Sequence, residues 1–406
     1  MDEPRKRPGM AVLIYLVPAL VDLLLSLVIF VGTVRAARLK GDATHVGAVL
    51  AVWSILYILT CPLLGRWVTP RNAHGFVLAG CLTFAVACAL LATAASFLPM
   101  ILLVGVTGMA SALFFVAFQI LMKEFGAAGG RPLTYSVGIY IFAWSAGFAF
   151  GPMVSGFLMQ SSTPAPGGGE GAGWRYAFLL AAGIAFAISA ALAMLFHPRN
   201  RRRTEMRDAP APPAETTCYD ALPDLSWLGW IVAATGIMAL SINRTVFASR
   251  AVNALHLLDG TIGTIFFVLF LSQSITGLAL TRSRFWMYRP LLAAAFALSG
   301  ILGLLCFGFG QHLAIFLAGA ALFGIYSGSF FFYMVFHALV HPEHAGRYIA
   351  VNETIVGIAS FAGPLLGGIL ADACGMRFAF LAAAGLTVLA TAFQCRITAK
   401  SGRCLP

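Results

Sequence analysis

The sequence predicts an all-α integral membrane protein, with twelve transmembrane helices in two pseudo-symmetric six-helix halves. Composition is the first reason: 60% of the 406 residues are hydrophobic and only 10% are charged, far from the soluble average. The second is a series of twelve apolar stretches of membrane length, about 20 residues each. In lipid each backbone N–H and C=O must be bonded within its own segment, so these stretches are forced into helix. The third is repetition. Gly151-Pro152, Gly156 and Gly173-Trp174-Arg175-Tyr176-Ala177-Phe178-Leu179 recur as Gly363-Pro364, Gly367-Gly368 and Gly375-Met376-Arg377-Phe378-Ala379-Phe380-Leu381. Gly47 precedes Arg66 by nineteen residues, as Gly263 precedes Arg282. Duplicated bundles place a site between the repeats, where two halves can expose it to either side in turn.

In the first half the stretches run 11–33, 45–65, 75–95, 99–122, 134–158 and 175–196. In the second they run 226–248, 260–281, 290–309, 313–338, 353–371 and 377–395. The first is too long for a signal core and is expected to remain as helix one. Helix two ends at Gly65-Arg66, and helix four ends in Lys123-Glu124. Between helices five and six, residues 160–173 read as an external loop that accounts for the ten extra residues in the first repeat. Residues 197–225 are the one long polar break, and Ala209-Pro210-Ala211-Pro212-Pro213 cannot continue a helix. The chain therefore divides into a six-helix half at 1–196, a flexible cytoplasmic linker at 197–225 and a second half at 226–406.

Nineteen of the 26 Lys and Arg residues fall on one side of this topology, six on the other, and Arg244 within a span. The positive-inside rule then places both termini in the cytoplasm, in a plasma or cell inner membrane. The net charge of +11 reflects that topology and contact with anionic lipid, not nucleic-acid binding. Eight scattered cysteines without a Cys-x-x-Cys indicate neither a disulfide framework nor zinc. His341 and His344 have metal-ligand spacing, but Pro342 interrupts them and no acid or cysteine completes a set. No nucleotide-binding P-loop is present, and no catalytic constellation suggests an enzyme or a cofactor.

A charge near the bilayer centre costs at least about 2.5–3.5 kcal/mol, so such residues usually face a cavity and carry function. Asp22, midway along helix one, is the clear central acid, while Glu353 starts helix eleven. Among bases only Arg244, beside Asn243, lies inside a predicted span. Tyr140 and Trp144 on helix five, Gln273 on helix eight, and Tyr326, Ser327 and Ser329 on helix ten would give a mostly apolar cavity a few hydrogen-bonding groups. Each also suits packing. His337, in the last turn of helix ten, could gate or titrate.

The two halves, the linker and the Gly-Pro elements of helices five and eleven resemble the major facilitator superfamily over essentially the whole chain. The loop after helix two is similar to the family's: Gly65 is followed by Arg66, Arg71 and Gly75, with Thr69 at the usual acidic position. Gly147, Gly151, Pro152, Ser155 and Gly156 resemble the helix-five motif of the family's drug–proton antiporters. Helix four offers Gln119 where proton-coupled members often have Arg. The resemblance implies a cavity lined by helices one, four, seven and ten, with Asp22 and Arg244 on facing walls. Asp22 would carry a proton while Arg244 held its charge or an anionic group of the solute. Burial disfavours a charged carboxylate and a nearby cation favours it, so motion between halves would switch proton affinity. Gly65, Arg66, Arg71 and Arg282 would serve a cytoplasmic gate, and Gly147, Gly151, Pro152, Gly363 and Pro364 would form hinges where helices approach closely.

The expected function is secondary transport of a small organic solute by a monomer, coupled to protons as efflux by antiport. Uptake of a sugar, amino acid or organic acid by symport or facilitation stays open. A non-transporting receptor or scaffold on the same fold would call for large soluble domains or long tails, and the sequence has neither.

Overall fold

The computed structural model describes residues 8–69, 71–126, 133–161, 171–195, 224–282, 286, 289–339 and 345–401. They form twelve helices. The first six are α1 (Pro8–Lys40), α2 (Ala43–Trp67), α3 (Ala73–Leu91), α4 (Phe97–Gly126), α5 (Leu133–Ser161) and α6 (Gly173–Leu195). The second six are α7 (Ser226–Asn253), α8 (Asp259–Leu280), α9 (Pro290–Phe309), α10 (Leu313–Leu339), α11 (Ala345–Cys374) and α12 (Met376–Ser401). All twelve are long and apolar enough to cross a membrane, so this is an integral, multi-pass membrane protein. The expected linker lies almost wholly outside the described residues, as do His341 and His344.

Successive helices run in opposite senses. We call the end from which α1 starts the near end, and the end where it stops the far end. Two of the far-end turns are tight. Gly41 (φ +79°) and Gly375 (φ +96°) adopt the left-handed conformation that ends a helix, their N–H groups reaching Ala37 and Ala371 carbonyls at 3.0 and 2.9 Å. Asp42 then caps α2 by accepting from His45 N–H at 2.7 Å.

α1 and α7 sit at the centre, and their inner turns are largely buried. α6, α9 and α12 lie at the periphery and present Met194, Leu291 and Leu389 outward, as a lipid-facing surface should. Within the halves α1 packs on α5 and α7 on α11; between them α5 packs on α8 and α2 on α11. Several helices run beyond their apolar cores, which carries Arg35 and Arg38 onto α1 and Arg250 onto α7.

Candidate functional site

The polar groups between the halves form three levels. Nearest the middle, Asp22 on α1 is 5% exposed, and its Oδ2 makes no hydrogen bond. Glu353 of α11 lies within electrostatic reach of it. Tyr57 of α2, stacked on Trp53 at 5.1 Å, donates its hydroxyl to Glu353 Oε2 at 2.8 Å. Carboxylates from opposite halves thus lie within electrostatic reach of each other, Asp22 buried and Glu353 half-buried.

Further towards the far end is Arg244. Its guanidinium lies over Phe148 and Phe270, 4.8 and 5.4 Å from the ring centres, and makes no ion pair or hydrogen bond among the described residues. It borders a small cavity with Ile29 and Thr33 of α1. Those residues stand seven and eleven positions beyond Asp22. That is roughly 10–16 Å along a helix rising 1.5 Å per residue. In this conformation Asp22 and Arg244 therefore stand at different levels of the seam, and the acid within electrostatic reach of Asp22 is Glu353. Two other bases are more deeply buried than half-buried Arg244. Arg35 donates to the Ala94 and Ala95 carbonyls at 2.9 and 3.3 Å beneath Trp174, and Arg250 donates to those of Phe307 and Gly310. Each arginine satisfies carbonyls that its neighbouring helix leaves unpaired at its C-terminal end. The two are related by the repeat and lie just past the predicted spans, where sequence reading counted them as solvated.

The third level is the far end, where polar contacts hold the halves together. Arg38 pairs with Asp259 at 2.6 Å. Asp372, at the end of α11, accepts the first two N–H groups of α2, Ala43 at 2.9 Å and Thr44 at 2.8 Å, and the Thr44 hydroxyl at 2.5 Å. A carboxylate at a helix N-terminus gains both hydrogen bonds and the helix dipole. Asn253 reaches the Gly41 carbonyl at 3.0 Å, and Gln160 accepts from Gly260 N–H at 3.1 Å.

Close backbone approach makes these contacts possible. A Cβ at Gly147 or Gly151 would collide with α1, and one at Gly363 would meet α7 at 2.9 Å. Across the halves, a Cβ at Gly47 would strike the Pro364 carbonyl and one at Gly263 the Pro152 carbonyl. The Gly-Pro elements therefore mark contacts in which each half touches the other through matching residues.

This arrangement agrees with what the chain resembles by sequence. Residues 10–249 match the model of the Major Facilitator Superfamily. The chain belongs to that family. No curated protein matches it by sequence. Among solved structures, the human organic anion transporter MFSD10 (TETRAN) is 19% identical, with a TM-score of 0.62 over 95% of this chain and 99% of that one. A bacterial homologue of the human lysosomal transporter Spinster, inward-facing and unoccupied, is 13% identical, with a TM-score of 0.64 over 98% of both. The nucleoside transporter NupG is also 13% identical, with a TM-score of 0.63 over 95% and 99%. Likeness at this identity concerns the fold alone.

The remaining cavity candidates of this family member divide. Trp144 meets Phe331 of α10 edge-on at 5.0 Å, and half-buried Tyr140 packs beside it. Gln273 is buried and bonded at both amide atoms: it donates to Ser145 of α5 at 2.8 Å and accepts from Ser327 of α10, so it fastens the halves. Tyr326 packs against Gly300, and His337 lies against Tyr333 and Phe336 near Gly229. Both are inside the second half, not on the seam. Asn243 is buried with neither amide atom bonded, and the Gln119 side chain lies outside the described residues. Gly65, Arg66, Arg71 and Arg282 are exposed; Gly65 has no atom within 4 Å of a would-be Cβ. Among the described residues, the ion pair and the cap between the halves are at the far end. Sequence reading missed Tyr57, Arg38, Asp259 and Asp372, each of which sits near a helix end or carries no charge. Their signal was proximity in sequence to the paired glycines, as with Asp372 four residues after Gly368.

Proposed function

We propose that this protein is a proton-coupled secondary transporter of a small organic solute, working as a monomer by alternating access. What supports this is the pair of carboxylates: buried Asp22 from one half, its Oδ2 without a hydrogen bond, within electrostatic reach of Glu353 from the other. Two negative charges in a low-dielectric site repel strongly, and one proton removes that repulsion. When the halves rock apart at this level, each carboxylate gains water and the proton is released. Tyr57 fixes Glu353 in place through its hydrogen bond, so separation depends on movement of α11 against α1. Exchange, with solute leaving as protons enter, is the direction we propose, from the small-residue motif of α5. The near end is proposed as cytoplasmic, on the asymmetry of Lys and Arg.

The test uses proteoliposomes with an imposed proton gradient and a panel of organic anions, nucleosides and sugars. Asp22→Asn and Glu353→Gln should each abolish gradient-driven movement while leaving exchange down a solute gradient. If both variants still concentrate solute under a proton gradient, the coupling assignment fails. If solute moves with the protons, transport is symport and not exchange.

A further inference from the structure

Arg244 is the most conspicuous group that the proton site does not use. Its guanidinium carries five N–H donors. None meets an acceptor among the described residues, and no carboxylate pairs with it. Two aromatic faces, Phe148 from the first half and Phe270 from the second, hold the cation at 4.8 and 5.4 Å. Arg244 is half-buried, and even partial removal of a charge from water is costly unless a partner repays it; ring faces repay only part. The cavity beside Arg244 is walled by both halves: Ile29, Thr33 and Pro152 from one, Thr245 and Phe266 from the other. In this closed far-end conformation it has room for no more than a water-sized group. Because its walls belong to two bodies, it must widen when the far end opens. Two threonines and an arginine then face an otherwise aromatic and aliphatic pocket.

We infer that Arg244 is the head-group site for the transported solute, and that the solute is an organic anion with an apolar, ring-bearing body. A planar carboxylate or a sulfonate would accept from the guanidinium fork, while Phe30, Phe266 and Phe270 receive the body. This deepens the transport reading above, but it stands on binding and not on proton coupling. The pocket's level on the seam, away from Asp22 and Glu353, separates solute from proton.

Purified full-length protein in detergent is titrated at constant pH with benzoate, benzenesulfonate, benzyl alcohol, benzyltrimethylammonium and sodium chloride, read by thermal shift and equilibrium binding. Benzoate and benzenesulfonate should stabilise it, whereas the alcohol and the cation should not. Arg244→Gln should weaken the anions about 10-fold or more, the loss expected when a charged hydrogen bond is removed. Arg244→Lys should keep part of the affinity. Asp22→Asn should leave anion binding intact even where it abolishes coupling, so the two proposals fail separately. Binding of the cation or alcohol in preference, or anion binding unchanged in Arg244→Gln, overturns the inference. So does stabilisation by chloride alone to the same extent, since the site would then be one for an inorganic ion. Should Arg244→Gln not be recovered folded, the five-ligand ranking on the unaltered protein and the Arg244→Lys affinities decide the matter.

Discussion

The two seams that join the halves are related by the repeat, yet they are fastened by different chemistry. Along α5 and α8 the Pro152 carbonyl abuts Gly263, Gln160 meets Gly260, Gln273 bonds Ser145, and Ser274 donates to the Phe142 carbonyl at 2.9 Å. Every one of these contacts is neutral. Along α2 and α11 the Pro364 carbonyl abuts Gly47 in the same way, but carboxylates occupy both ends: Asp372 on the start of α2 and Glu353 on Tyr57. Shared backbone geometry thus sets how near the helices come, and side-chain charge sets what can part them. A neutral seam responds little to protons, whereas a seam closed by carboxylates responds to their protonation. On the proton-coupled cycle proposed above, α5/α8 would be the steadier pivot and α2/α11 the side on which opening is controlled.

The strongest way to break the comparison is to obstruct both seams equally. Gly47→Leu and Gly263→Leu each drive a side chain into a backbone carbonyl that cannot swing aside. Overpacking of this kind costs about 1–3 kcal/mol or more, so both should lower transport about 10-fold or more with insertion intact. Transport rates in reconstituted vesicles check this, and an effect in only one variant would show that the seams do not share their close approach. A smaller effect is expected from Asp372→Asn, which keeps the shape but removes the charge at the α2 N-terminus. Loss of a capping interaction costs about 0.5–2 kcal/mol, so the far end should open more often. Spin labels at Leu98 and Leu313, at the far-end starts of α4 and α10, should then report longer distances; an unchanged distribution would deny the carboxylate its locking role.

Gln273→Leu should act on stability instead. It removes two hydrogen bonds worth about 1 kcal/mol each and leaves Ser145 and Ser327 unsatisfied. Melting temperature should fall while the pH dependence of transport stays unchanged, as expected of a neutral pivot. A displaced pH profile would give α5/α8 a part in coupling. The smallest effects belong to Arg66→Ala and Arg71→Ala, which remove exposed side chains that form no ion pair among the described residues. Both should stay within about 0.5 kcal/mol in stability. A marked loss of transport in either would return the gate to the near end.

The sequence by itself determined the number, type and order of the helices, because lipid forbids unpaired backbone and apolar length can be counted residue by residue. It also marked the duplicated glycines, since close helix packing demands a missing side chain and therefore leaves a trace in residue identity. What it could not determine was which polar groups meet. Asp22 and Arg244 stood out as intramembrane charges, but their heights along α1 and α7 depend on how the halves seat against each other. Asp372, Asp259 and Arg38 looked like solvated helix ends until the far end brought them together. Charge partners are separated here by more than two hundred positions, as with Arg38 and Asp259 at 221. Only the packing of one half on the other decides such pairs, because electrostatic contact depends on distance in space and helical periodicity records only distance along the chain.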